Sequence, residues 1–219
     1  MKRVPEPELM TGPQQVNAYS AADFDFSDGK AIDSLEQLIH IFKINISKRS
    51  LILDLGCGPG NITERLALKW PQSQVVGIDG SQAMLNVARS RADSLKKNFP
   101  NLLLNYLHLN ISSLSTSAAQ IAFPAHIVVS NSVLHHFHQP ENFWRAIKVI
   151  SAKGALLFHR DLRRPLNMEN AFCLQKKYLS KAPPILVSDY IASLKAAFTV
   201  EEVKEQLKLN KLDYLKVIE

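Results

Sequence analysis

The feature that most constrains this chain is the run Leu51-Ile-Leu-Asp-Leu-Gly-Cys-Gly-Pro-Gly-Asn61, followed one helix length later by Val75-Val-Gly-Ile-Asp-Gly80. A short apolar run of this kind reads as a buried strand, and it breaks into glycines at Gly56, Gly58 and Gly60. A glycine turn between a strand and a helix lets a ligand approach bare backbone and the helix N-terminus. The second strand ends in an acid, Asp79, placed to grip a ribose through its two hydroxyls. Two adjacent strand ends therefore offer a nucleoside site.

The surrounding pattern alternates strands with helices. Strands are expected at Leu51–Leu55, Gln74–Ile78, Leu102–Leu107, the β-branched Ile127–Ser130, and Ala155–Phe158 after Gly154. Between them, helices are expected at Asn61–Lys69, stopped by Pro71, at Gln82–Lys97, capped by Ser81, and at Pro140–Ile150. Before the first strand, a helix around Gln14–Ala21 is broken by Asp23-Phe-Asp-Phe26. A second, Ala31–Phe42, then sets Leu35, Leu38, Ile39 and Phe42 on one face. After the fifth strand the chain reads as helical at Met168–Ser180, Ser188–Ala197 and Val200–Leu209, with a capping box formed by Thr199 and Glu202. Asp213–Ile218 is expected as a last strand. This alternation argues for an α/β fold with a doubly wound parallel sheet that binds ligands at its strand C-termini.

A chain of 219 residues with 46% hydrophobic residues can bury a large core. The expected division is an N-terminal segment, residues 1–30, serving as a helical lid, and a single domain over residues 31–219. Two cysteines, Cys57 and Cys173, are too few for a disulfide framework and lack zinc-site spacing. The start has no signal-peptide core, and no run approaches the roughly 18 apolar residues of a membrane span. A cytoplasmic protein without membrane contact is expected. The net charge of +6 is scattered and forms no nucleic-acid patch. Nothing in the sequence sets the oligomeric state.

The glycine spacing narrows the nucleoside. A nicotinamide-binding fingerprint needs a third glycine where Asn61 stands. Asp54, inside the strand before the turn, is a poor neighbour for a pyrophosphate and suits an ammonium. The ligand should carry a ribose and a positive charge but no phosphate, which S-adenosylmethionine satisfies. At these residues the chain resembles the class I S-adenosylmethionine-dependent methyltransferases of small-molecule type. Leu53–Asn61 is similar to their first motif and Gly77-Ile-Asp-Gly-Ser-Gln-Ala-Met84 to the second. Phe123-Pro-Ala-His-Ile-Val-Val-Ser-Asn-Ser-Val-Leu-His-His-Phe137 resembles the fourth-strand motif, and Lys153-Gly-Ala-Leu-Leu157 the turn into strand five.

The resemblance implies a Rossmann-like, mostly parallel sheet flanked by helices, with a C-terminal strand hairpin that here stops near its first strand. It also implies cofactor contacts from Tyr19 of the lid, Asp54, Gly56, Cys57, Gly58, Asp79, Gly80, Met84, Asn110, Ile111, Ser130 and Asn131. The product would be S-adenosylhomocysteine. Two positions depart from the pattern: Asn110 replaces the acid that receives the adenine amino group, and His126 replaces an acid at the start of strand four. An amide oxygen can still accept the adenine hydrogen bond.

Each residue also has a plainer reading. Cys57 fills a tight turn and lacks a base to make it a nucleophile; Asn110 is balanced against a loop asparagine, and Tyr19 against simple helix packing. His135, His136 and His138 lie too close on one loop to enclose an ion, and no Cys or carboxylate nearby in sequence completes a set, so no metal is expected. Either His135 or His136 serves as a base at the substrate mouth, or packs on a helix start; His159 is a weaker candidate. Arg160, Arg163 and Arg164 either recognise an anionic acceptor or are solvated surface.

The expected reaction is methyl transfer to an oxygen or nitrogen, less readily a carbon, of a small-molecule acceptor. A nucleic-acid methyltransferase is the first rival. Against it, Asn131-Ser-Val-Leu134 lacks the Asn-Pro-Pro-aromatic motif, and no Pro-Cys nucleophile is present. A non-catalytic cofactor-binding regulatory module is the second rival, and a nicotinamide-dependent dehydrogenase a distant third.

Overall fold

The computed structural model describes residues 1–114 and 124–219, so Phe123 of the fourth-strand motif lies outside the described residues. Five strands form one sheet in the order β3-β2-β1-β4-β5. They are β1 (Leu51–Leu55), β2 (Gln74–Asp79), β3 (Leu103–His108), β4 (Ala125–Asn131) and β5 (Ser151–Arg160). Every pairing among them is parallel. β1 is the central strand and all five of its residues are buried, as a parallel strand covered on both faces requires. From β1 the chain steps outward through β2 to β3, then returns to β4 on the other side. That reversal opens a crevice at the C-terminal ends of β1 and β4. The register aligns the strand ends there: Leu55 is opposite Ile78 on one side and Ser130 on the other.

The described helices are α1 (Pro13–Ala21), α2 (Asp25–Ile41), α3 (Asn61–Lys69), α4 (Gln82–Asn98), α5 (Pro140–Ile150), α6 (Met168–Tyr178), α7 (Pro184–Ala196) and α8 (Val200–Leu209). Their ends follow local chemistry. Ser81 Oγ accepts from the Met84 N–H at the start of α4. At α8 the expected capping box is complete: Thr199 Oγ1 accepts from the Glu202 N–H at 3.2 Å, and Glu202 Oε2 accepts from the Thr199 N–H at 2.8 Å.

The chain divides into two compact units. One comprises Asp23–Asn131 and Ala146–Arg160 and holds the sheet; its core joins Ile52, Val75 and Ile127 to Leu35, Leu66 and Leu85 of the helices. The other comprises Met1–Ala22, Ser132–Arg145 and Asp161–Glu219. In it, Arg3 ties the N-terminal segment down. Its Nε donates to Ala196 O at 2.6 Å, its Nη2 to the carbonyls of His135 and Phe137 at 3.0 Å, and its guanidinium stacks 4.0 Å from the Phe198 ring centroid.

Two expectations change. The break after α1 is only Ala22, Asp23 and Phe24, because Asp23 Oδ1 accepts the Asp25 N–H at 2.9 Å and α2 starts at Asp25, six residues before the expected start at Ala31. The expected strand at Asp213–Ile218 does not form. The chain turns at Lys211, with φ 57°, and buries Leu212, while Tyr214 and Ile218 stay exposed and gain no sheet edge to pair with. Apolar alternation alone does not hold a strand that has no partner.

Candidate cofactor-binding site

Three strand ends build the site. Past Leu55 the backbone turns through Gly56 and Gly58, both at positive φ, and the N–H groups of Gly56 and Cys57 donate to Ile78 O at 2.7 and 3.1 Å. The turn is thereby fastened to the end of β2. Gly60 caps α3 at φ 92°, where a β-carbon would stand 2.3 Å from Tyr106 Oη. Only glycine fits that position.

Asp54 is the least ordinary residue here. It is 1% exposed, and Thr63 Oγ1 donates to its Oδ2 at 2.6 Å. Burial pushes its carboxyl up to about 7 against that hydrogen bond, and the charges that add to the shift, Asp79 and Asp28, are like charges. A buried carboxyl surrounded by acids lacks a cation, and an ammonium would supply one. Asp79 closes the adjoining strand end: its Oδ2 accepts from the Gly58 N–H at 2.8 Å and its Oδ1 from the Ser81 N–H at 2.7 Å. Burial raises this carboxyl too, opposed by those backbone donors. A carboxylate has about four acceptor sites, so these backbone donors do not by themselves prevent it from accepting a ribose hydroxyl.

At the end of β4, Asn131 Oδ1 is buried without a hydrogen-bond partner. A buried acceptor of this kind calls for a donor the chain itself does not provide. Ser130 is spoken for: its hydroxyl lies 2.7 Å from His159 Nδ1, directly across the β4–β5 pairing. Asn110 follows β3 and caps a 3₁₀ turn, Ile111–Ser113, by accepting the Ser112 N–H at 2.9 Å. Ile111 and Met84 are buried, and the Gly80 carbonyl lies 3.0 Å from His108 Nε2. Cys57 is buried, with burial first among the causes raising its thiol, so it is a turn filler and not a nucleophile. Tyr19 lies on α1 in the other unit and is half-buried.

That other unit gathers what the sequence kept apart. His135 is 2% exposed; its Nδ1 bonds the Asp161 carboxylate and its Nε2 lies 3.3 Å from Glu6 Oε1. His136 Nδ1 lies 3.5 Å from the same Glu6 oxygen. Burial pulls the His135 imidazole down, but Asp161 and Glu6 together lift it above its ordinary value. Burial, with His135 beside it, lowers His136 to about 4. Neither Glu6 nor Asp161 is marked by any local pattern, since they stand 129 and 26 residues from His135. Thr63 likewise carried no signal. The arginines sort plainly: Arg163 pairs with Glu219, Arg164 with Glu202 at 2.6 Å, and Arg160 donates to the Ser27 carbonyl and hydroxyl at 2.9 and 2.5 Å.

A family model described as a methyltransferase domain matches residues 52–154. A trans-aconitate 2-methyltransferase from Variovorax paradoxus is 31% identical over 156 residues, covering 69% of this chain and 54% of that protein. Another, from Paracidovorax citrulli, is 53% identical over 49 residues, which is 22% of this chain and 19% of that protein. The chain thus spans about half the length of the first relative and a fifth of the second. Among solved structures, the plantazolicin methyltransferase BpumL, in complex with a substrate analogue and SAH, superposes with TM-score 0.67 at 17% identity over 90% of this chain and 68% of its own. A SAM-dependent methyltransferase from Aquifex aeolicus gives TM-score 0.60 at 16% identity over 92% and 88%. Residues 52–154 are thus matched as a methyltransferase domain, and the superpositions show that the chain shares the fold of the S-adenosylmethionine-dependent methyltransferases.

Proposed function

We propose that this chain transfers a methyl group from S-adenosylmethionine to a carboxylate oxygen of a small polyacid. The observation that carries the donor half is Asp54, a buried carboxyl beside a glycine turn with acids and no pyrophosphate-binding glycine around it. In this reading Asp54 and Asn131 hold the amino-acid end, Asp79 holds the ribose, and Met84, Asn110 and Ile111 face the adenine. Gly56, Cys57, Gly58 and Gly80 supply backbone surface, and Ser130 supports the floor. When bound, S-adenosylmethionine supplies an electrophilic methyl carbon on a sulfonium and leaves as S-adenosylhomocysteine. The chain's own contribution is then alignment and exclusion of water.

The acceptor half draws on the relatives, two of them named for methylating trans-aconitate. A carboxylate is already a nucleophile at neutral pH and asks no base of the protein. That suits His135, whose two ring nitrogens both face carboxylates. The net charge of +6 favours an anionic acceptor. The second reading, a hydroxyl or amine acceptor with His135 or His136 as base, is favoured by one observation: burial keeps His136 neutral across the physiological range.

Methyl-labelled cofactor offered with a panel of di- and tricarboxylates, hydroxyl and amine acceptors, and tRNA tests both halves. Label in a product that releases methanol on mild alkaline hydrolysis is a methyl ester and supports the proposal. Alkali-stable label favours the second reading, and label in tRNA the nucleic-acid rival. Tight cofactor binding without transfer to any acceptor means a regulatory module.

A further inference from the structure

The Glu6, His135 and His136 side chains converge in a way that neither the cofactor site nor an ordinary ion pair uses. Their donor atoms, one from each residue, all lie within 4.8 Å of one another. Glu6 Oε1 stands 3.3 Å from His135 Nε2 and 3.5 Å from His136 Nδ1, yet it is buried and has no hydrogen-bond partner. Atoms about 2.1 Å from a tetrahedral ion stand about 3.4 Å from one another, so these separations are those of two edges of a zinc coordination shell. The surroundings complete the case. His135 Nδ1 is held by the Asp161 carboxylate, which directs Nε2 at Glu6 and matches the carboxylate–histidine–metal relay that orients ligating imidazoles. Asp161 is itself fixed by the N–H groups of Val133 and His135, both at 3.2 Å. Glu6 Oε2 accepts from Ser193 Oγ at 3.3 Å, so the carboxylate is aimed from behind. His136 Nδ1 faces the same Glu6 oxygen; it also lies 3.3 Å from Pro7 O, a weak contact that a metal bond would replace.

Charge points the same way. Glu6, Asp161 and Asp189 act on this spot, and Asp189 Oδ2 is also buried without a hydrogen-bond partner. Against these three acids stand the Arg3 guanidinium, already donating to backbone carbonyls, and the His135 imidazole between two of them. A divalent cation would offset the excess.

We infer that Glu6, His135 and His136 form a binding site for a zinc-like divalent cation, with Asp161 as the positioning residue and a water in the fourth position. Nitrogen and carboxylate donors in this number suit zinc better than magnesium or calcium, which take oxygen shells. The site would clasp the N-terminal segment to the 3₁₀ turn Leu134–His136 and give these histidines work other than base catalysis. The inference is independent of the methyl donor.

The test uses the full chain stripped with chelator and titrated with Co²⁺, then with Zn²⁺ in competition. Expected are one ion per chain at micromolar affinity or tighter and the visible absorption of four-coordinate Co²⁺. Glu6→Gln and His136→Ala should each weaken binding at least tenfold, and Asp161→Asn ten- to a hundredfold. Imidazole nitrogen resonances decide the location even if a variant does not fold: of the 7 histidines, only His135 and His136 should shift with Zn²⁺. No saturable uptake by the wild-type chain, or shifts at other histidines, overturns the inference and leaves a metal-free cluster of His135 between two carboxylates.

Discussion

Replacing Asp54 with Asn tests the cofactor pocket through stability and binding at once, with opposite signs. Asp54 is fully enclosed, and burial lifts its carboxyl from 3.8 to about 7 in the folded chain. A carboxyl that is harder to ionise when folded makes folding less favourable as pH rises above its unfolded value. The cost is close to zero near pH 4, about 2 kcal/mol at pH 5, and about 4 kcal/mol at pH 8, where both states are ionised. Asparagine keeps an oxygen to accept the Thr63 hydroxyl and never ionises, so it removes the cost without losing that contact. Asp54→Asn should therefore be more stable than wild type by about 2–4 kcal/mol at pH 8, and by little at pH 4.

Urea unfolding followed by the fluorescence of Trp70 and Trp144, both buried, reads this directly. S-adenosylmethionine should reverse the ranking. Its ammonium needs the carboxylate, so the variant should bind about 10–100-fold more weakly at pH 7.5 by calorimetry. Wild-type affinity should fall as pH drops from 7.5 to 5.5, by up to about tenfold per unit below 7, whereas the variant's should stay flat. A variant that is less stable at pH 8, or that binds the cofactor as well as wild type, refutes the assignment of Asp54.

Three further outcomes concern the frame. Gly60→Ala puts a β-carbon 2.3 Å from Tyr106 Oη and 3.1 Å from Cζ at φ 92°, so it should cost at least about 3 kcal/mol in urea unfolding. Adding Tyr106→Phe should recover about 1 kcal/mol by removing the nearer atom, and no recovery would mean that the backbone alone is responsible. Thr199→Ala removes one side of the α8 capping box and should lower stability by about 1 kcal/mol; an unchanged thermal midpoint would show that the cap is idle. Arg3→Ala deletes charged donors to three carbonyls and a stacked ring, and a loss below about 2 kcal/mol would contradict its anchoring role.

How far a residue could be read from sequence depended on what holds it. Asp54 and Asp79 are set by strands whose apolar runs are local, and the parallel register then fixes their ends side by side, so a linear reading reaches them. Ser81 and the Thr199–Glu202 box are more local still, since cap and capped N–H are three residues apart. The segment Asp213–Ile218 has strand-like residues, but a strand is a relation between two chains of hydrogen bonds, and its partner is not encoded in its own pattern. The same reason hid the histidine cluster. Three neighbouring histidines offered no carboxylate within reach in sequence, so a metal looked excluded; the fold supplies Glu6 from the N-terminal segment and Asp161 from the residue after β5. The methyl donor is thus written in short-range order, whereas anything the chain does with Glu6, His135 and His136 rests on contacts that exist only after Arg3 and Val4 have been fastened to Ala196 and Lys195. A zinc titration of a chain carrying Arg3→Ala separates the two levels: weaker metal binding with unchanged cofactor affinity is the result expected if the cluster depends on that fastening and the cofactor pocket does not.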